Sequence, residues 1–269
     1  MNRHEQKRAL AAAVQAAKTV GRLMRQNLRA AKTVNVATKH DIKLELDVRS
    51  QKLIERRLRS EFPRSGFLGE EGAWQTRQAE LRWVVDPIDG TVNFAYGIPH
   101  ACVSIALQAR SPQSRRSSAT SPDYITVVGV VYDPFADEMW TAIRGQTARL
   151  NGVPIRASRR AKLAEAIVST GFAKSRSSMD KGLPYFLWLV RRVRKVRMMG
   201  AAALALTYVA TGRFDAYVEF GVSLWDIAAG GLIVECAGGK FRHQLTSDGK
   251  RYRMVASNRA IERKLPMPK

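Results

Sequence analysis

Apolar positions recur every three or four places along residues 3–30. Leu10, Val14, Ala17, Leu23, Met24 and Leu28 fall on one stripe, which predicts an amphipathic helix. From Asp41 to Asp47 the pattern becomes alternating, with Ile42, Leu44 and Leu46 on one face, and predicts a strand. Helical spacing returns over 48–61 at Val48, Leu53, Ile54 and Leu58, and Pro63 stops that helix. "GFLGEEG" (66–72) reads as a short strand entering a loop, and "RWVVD" (82–86) as a β-branched strand. Two long strands follow at 101–110 and 124–134. The Ser-, Pro- and Arg-rich stretch 111–123 between them reads as an exposed, flexible hairpin connection.

Beyond this, short strands are expected near 137–143, 147–150 and 165–170. A helix near 180–193 and a basic strand at 194–198 come next. Residues 200–212 form a helix with a stop at Gly212, 213–220 a strand, 224–239 a helix closing on glycines, and 252–258 a strand before a short C-terminal helix. Strands and helices alternate without a long linker or an internal repeat. The expectation is a mixed, layered α/β fold: one domain over 1–269 with sub-halves of about 1–145 and 146–269.

Composition adds three constraints. No apolar run approaches the ~20 residues of a membrane span, so no membrane association is expected. The N-terminus lacks an apolar signal core, and Glu5 with the apolar stripe suits a docked helix better than a cleaved Arg-rich presequence. Cys102 and Cys236 each lie in apolar surroundings, far apart, and read as buried free thiols of a reducing cytoplasm. The formal charge of +22, from 45 basic against 23 acidic residues, favours anionic partners. A base-rich habit of the source organism accounts for it equally well.

In so acid-poor a chain, the placing of acids is informative. "WVVDPIDGTVNF" (83–94) sets Asp86 at the end of a buried strand and Asp89 three residues on. Pro87 enforces an extended or turn geometry, and Asp89 is placed to cap a helical turn at 90–93. Two such carboxylates repel strongly in a low-dielectric site. One of them takes a proton, or a divalent cation neutralises both, or each merely binds backbone amides. Oxygen-only ligands suit Mg²⁺. "GEEG" adds Glu70 and Glu71 after an apolar pair, and "LWDIAAGG" adds Asp226 at a helix start.

Together "GEEG", "WVVDPIDGTVNFAYGIPHACVSIAL" and "LWDIAAGGLIVECAGG" resemble the three signature segments of the inositol monophosphatase family, in order and spacing, from about residue 5 to 265. This family belongs to the metal-dependent, lithium-sensitive phosphomonoesterase superfamily. The resemblance implies an αβαβα sandwich with two sub-halves. It implies that Glu70, Asp86 and the Ile88 carbonyl hold a first Mg²⁺, that Asp86, Asp89 and Asp226 hold a second, and that Glu70 reaches a third through water. Gly90 and Thr91 would offer N–H groups to phosphate. Thr91, with Asp47 behind it and Glu70 beside it, would orient and deprotonate the attacking water. Glu219, with help from Asp89, would bind a substrate hydroxyl, or would pair with one of Arg191–Arg197. Gly200, Ala201 and Ala202 align with a substrate-contacting loop and read equally as a helix start.

The chain departs from the family pattern at Lys43-Leu44, where Val-Thr is usual, and an upstream lysine is matched by Lys39. His100 is expected to be structural. The activity implied is Mg²⁺-dependent hydrolysis of inositol monophosphate or a similar small polyol phosphate, by a lithium-sensitive cytoplasmic homodimer. The same chemistry on histidinol phosphate, a sugar phosphate or a nucleotide 3′-phosphate is the first alternative. An RNA- or transcription-associated binding protein on this fold is the second. The basic run 189–199 leaves nucleic acid open as a partner, but without interleaved aromatics it is not expected.

Overall fold

The N-terminal stripe folds as helix α1 (Arg3–Asn27). A capping box opens it: Asn2 Oδ1 accepts the Glu5 N–H at 2.9 Å, and Glu5 Oε2 accepts the Asn2 N–H at 2.8 Å. The computed structural model describes residues 1–32, 34–37, 42–74, 79–111, 124–172, 176–247 and 249–268. Lys39, Asp41 and the connection 112–123 lie outside them.

Strands β1 (Val34–Ala37) and β2 (Ile42–Leu44) pair antiparallel, and helix α2 (Glu45–Glu61) begins at once. The alternating stretch 41–47 is therefore strand only as far as Leu44. Asp47 decides this: its Oδ2 accepts the Leu44 N–H at 2.8 Å, satisfying an amide that a helix start leaves open.

The next strands are β3 (Gly66–Gly69), β4 (Gly72–Trp74) and β5 (Leu81–Asp89). After the short helix α3 (Thr91–Ala95) come β6 (Cys102–Arg110), β7 (Tyr124–Asp133), β8 (Glu138–Ile143), β9 (Arg149–Leu150) and β10 (Val153–Pro154). They build an eight-stranded sheet in the order β10-β9-β8-β7-β6-β5-β3-β4, in which only the β3–β5 pair is parallel. The second half supplies β11 (Ile167–Phe172), α4 (Arg176–Val190), β12 (Lys195–Arg197), α5 (Ala202–Ala210), β13 (Ala216–Val222), α6 (Leu224–Cys236), β14 (Lys240–Leu245) and β15 (Tyr252–Ser257). Its five-stranded sheet runs β12-β11-β13-β15-β14, with β11 parallel to both its neighbours.

Alternation along the strands sorts side chains into layers. Trp83, Val85, Ile105 and Val130 face α1 and α2, packing on Ala13, Val20, Ile54 and Leu58. Val84, Ala106 and Val131 face the other way, onto Leu204 and Leu206 of α5 and Leu232 and Ile233 of α6. Tyr217, Met254 and Ala256 close that middle layer from the second sheet. The outer face of the second sheet, Val168, Val218 and Val255, packs on Leu189 of α4. Helices and sheets thus alternate as αβαβα.

Two further differences from the sequence reading stand out, the first of them at the site. Strand β5 does not stop at Asp86 but continues to Asp89 through an irregular step, pairing Asp86 with Ser104 and Asp89 with Cys102. Pro87 has no N–H for the ladder, so a bulge forms there. The polar edge strand β14 went unread because Lys240, His243 and Gln244 break any apolar alternation. Among the described residues no helix is long and apolar enough to cross a membrane.

Helix α6 lies very close to β7 at Gly129. A Cβ there would stand 2.8 Å from the Ala229 carbonyl oxygen. Gly129→Val should cost about 1–3 kcal/mol by forcing the layers apart, read as a lower urea midpoint with an unchanged slope.

Candidate active site

The end of β5, the start of α3, the starts of α5 and α6, and one face of β13 surround a cavity of about 700 Å³. Glu70, Asp86, Asp89 and Asp226 line it, as do Ile88, Gly90, Thr91, Glu219 and the run Gly200-Ala201-Ala202. Asp47 does not line it, though its charge acts on Asp86 from the foot of α2.

The bulge in β5 sets the first two acids. Asp86 Oδ1 accepts the Ile88 N–H at 3.0 Å, which folds Pro87 over the carboxylate. Asp89 was expected to cap the turn that follows it, but Gly90 takes that place at φ 90°, a conformation that favours glycine. A side chain at Gly90 would also meet the His100 carbonyl oxygen at 2.9 Å. The Asp89 carboxylate reaches across the molecule instead. It accepts the N–H groups of Ala202 at 3.1 Å and Ala203 at 2.7 Å, and so caps α5. Cys102 Sγ donates to it at 3.6 Å. Thr91 Oγ1 donates to the Ile88 carbonyl at 2.8 Å.

Asp226 is the third residue of α6 and accepts the Ser223 N–H at 2.7 Å. The charges of Asp226 and Asp89 both act on Asp86. Glu70 follows β3, and its N–H donates to the Val85 carbonyl at 3.3 Å. Glu71 does not line the cavity; its N–H donates to Gln51 Oε1 at 2.9 Å.

Burial and mutual repulsion hold the three aspartates above the ordinary carboxylate range. Asp86 is pushed well up, first by burial and then by the charges of Glu70, Asp89, Asp226 and Asp47. Burial lifts Asp89 to about 6, against the pull of the Ala203 and Ala202 amides. Burial and the Asp89 charge lift Asp226 to about 7, opposed by the Ser223 amide and by Arg251.

Glu219 faces them from β13. Burial lifts its carboxyl to about 8, and the Tyr217 hydroxyl, which donates to Oε2, opposes the shift. Its partner is therefore Tyr217 rather than an arginine of the 191–197 run. Gly171 on β11 makes the room: a Cβ there would lie 2.2 Å from the Glu219 carboxylate. Gly200, Ala201 and Ala202 both line the cavity and open α5, with Ala201 as its N-cap. Asn93 Nδ2 ties this turn to α3, donating to the carbonyls of Met199 at 2.8 Å and His100 at 2.9 Å. His100 itself does not line the cavity; its ring packs edge-on against Tyr208.

Tyr217, Asn93 and Arg251 were not singled out from sequence. Tyr217 carried a usable signal, two places before Glu219 on one strand and so on the same face. Arg251 carried none, lying in a run of basic residues.

The donor set fits Mg²⁺. It is all oxygen, and its negative charges repel one another inside the protein. Among the described residues no three acidic, imidazole or thiol groups close into a ready-made cage. Mg²⁺ combines carboxylate oxygens with water and substrate phosphate in its octahedron.

Comparison with known proteins points the same way. The profile of the inositol monophosphatase family matches residues 5–265. "Nus factor SuhB" of Xylella fastidiosa is 37% identical over 237 residues, 87% of this chain and 81% of that one. "Inositol monophosphatase 1" of Solanum lycopersicum is 36% identical over 237 residues, 86% of this chain and 82% of that one. The solved structure of the extragenic suppressor protein suhB from Bartonella henselae superimposes with a TM-score of 0.83 at 33% identity, covering 94% of this chain and 95% of that one. With the layered fold, the acid-lined cavity and a match over nearly its whole length, this chain belongs to the inositol monophosphatase family.

Proposed function

We propose that the chain is a Mg²⁺-dependent phosphomonoesterase acting on inositol monophosphate or a similar small polyol phosphate. The observation that carries this reading is the meeting of Glu70, Asp86, Asp89 and Asp226 in the lining of one cavity, with a half-buried Glu219 facing them. Those four carboxylates and the Ile88 carbonyl would hold two or three Mg²⁺, which when bound lower the pKa of water and stabilise charge on the leaving oxygen.

The chain's own groups then have distinct tasks. Thr91 Oγ1 donates its hydrogen bond to the Ile88 carbonyl, so its oxygen is left to accept one from the attacking water. Glu70, beside Thr91, takes the proton that water loses, with Asp47 behind Thr91 in the same relay; the Asp47 charge also raises the carboxyl of Asp86. Gly90 and Thr91, opening α3, turn backbone N–H groups toward the phosphate. Glu219 accepts a ring hydroxyl, with Tyr217 fixing the other carboxylate oxygen. Gly200, Ala201 and Ala202 form the wall beside the ring. Lithium sensitivity, a homodimer and a cytoplasmic site of action belong to the same reading.

A binding role in transcription is the second reading. Several relatives carry the name "Nus factor SuhB", and Arg191, Arg192, Arg194, Lys195 and Arg197 are exposed at and before the edge strand β12. Salt-sensitive RNA binding that survives Asp89→Asn would favour it.

Two outcomes test the enzyme reading. Inorganic phosphate should be released from myo-inositol 1-phosphate with Mg²⁺ and not with chelator. Asp89→Asn should lower kcat by roughly a hundredfold or more, the scale of several kcal/mol of lost charge stabilisation. Wild type silent on this and on other phosphate monoesters would refute the assignment.

The second outcome concerns stability. The raised carboxyls of Glu219 and Asp226 bind more protons in the folded than in the unfolded chain from the ordinary carboxylate range up to about 8 and about 7. Chelated protein should therefore lose stability as pH rises through that window. Mg²⁺ should raise the melting temperature more at pH 8 than at pH 5.5, and an equal gain at both would contradict the charge-balance account.

A further inference from the structure

One wall of the cavity carries a group that a cation-binding pocket does not need. Arg251 is the only Lys or Arg among the described residues lining it. Its backbone is pinned where the chain enters β15: the N–H donates to Thr246 Oγ1 at 3.2 Å, and the carbonyl accepts the Thr246 N–H at 2.8 Å. Its Nη1 donates to Ser223 Oγ at 2.9 Å. Ser223 is buried and caps α6, three residues before Asp226. The guanidinium is thus held at the mouth of the pocket within a helical turn of an acid, close enough for its charge to act on Asp226. Among the described residues it makes no ion pair of its own.

A fixed positive charge there opposes the binding of a metal cation nearby, so it does not serve the metals. One N–H of Nη1 is used by Ser223, and an arginine that lines the cavity has further N–H donors to offer a ligand. Such a fork matches phosphate and carboxylate oxygens. Glu219 and Tyr217, suited to a hydroxyl, line the same cavity, as do Trp225 and Val222. The cavity, about 700 Å³, has room for a ligand larger than a single phosphate ester.

We infer that Arg251 is a specificity residue that reads a second anionic group, phosphate or carboxylate, on the alcohol part of the substrate. This rests on the phosphatase reading above and narrows its substrate class from neutral polyol phosphates to those bearing another anion.

Two matched pairs of compounds test it. myo-Inositol 1,4-bisphosphate differs from the 1-phosphate only in a second phosphate, and 6-phosphogluconate differs from glucitol 6-phosphate only in a carboxylate. The ratio of kcat/KM within a pair, doubly anionic over singly anionic, should fall about tenfold in Arg251→Gln, the scale of one charge-assisted hydrogen bond. The fall should lie in KM, and Arg251→Lys should recover part of it. The pair that responds identifies the anion. Ratios that stay constant in both pairs, including an equal loss on every substrate as a brace for Ser223 would give, overturn the proposal. If wild type hydrolyses none of the four, the phosphatase reading fails separately. Calorimetric binding of the two doubly anionic compounds in Mg²⁺ then decides the matter: weaker binding to Arg251→Gln supports the Arg251 assignment, and equal affinity overturns it.

Discussion

The proposed chemistry of this molecule depends on holding several carboxylates close together, two of them, Asp86 and Asp89, buried. Glu70, Asp86, Asp89 and Asp226 come from three separate stretches of chain. Leaving the buried Asp86 or Asp89 as an uncompensated charge would cost several kcal/mol. The fold answers with backbone amides: Ile88 to Asp86, Ala202 and Ala203 to Asp89, Ser223 to Asp226. These bonds reduce the repulsion without removing it, since all three aspartates stay above the usual carboxylate range. On the proposed reading, that residual repulsion is what a divalent cation would relieve.

The same bonds place the helices. Asp89 caps α5 and Asp226 caps α6, so two proposed metal ligands also set the starts of the two helices that fill the middle layer. Asn93 adds a third tie, from α3 to the turn before α5. Core and site are therefore not independent: a shift of α5 against the large sheet would strip Asp89 of its amides and change the charge of the cavity. Gly90 and Gly171 belong to the same arrangement, because a side chain at either would push His100 or Glu219 out of place.

The layers, the long strands and most helices were legible because apolar periodicity reports burial directly, as at Trp83, Val84 and Val85, which face alternate layers. The acids were legible too, since carboxylates at the ends of buried elements are costly enough to be informative. Their partners were not. Asp89 was read as a local cap because sequence shows the neighbours along the chain, whereas the amides it meets lie more than a hundred residues away. Asp47 was read as strand because alternation over "IKLEL" outweighed the capping carboxylate that turns the chain helical. Arg251 was hidden for the same reason as Asp89: its place in the cavity depends on Ser223, 28 residues before it.

The central claim is that this acidic wall is a cation site, and diffraction from crystals grown with Mn²⁺ in place of Mg²⁺ tests it most directly. Anomalous density should lie between Asp86, Asp89 and Asp226, with a second peak toward Glu70 and the Ile88 carbonyl. No anomalous density at these carboxylates, at saturating Mn²⁺ and neutral pH, would contradict the account and leave the acids balanced by protons and amides alone.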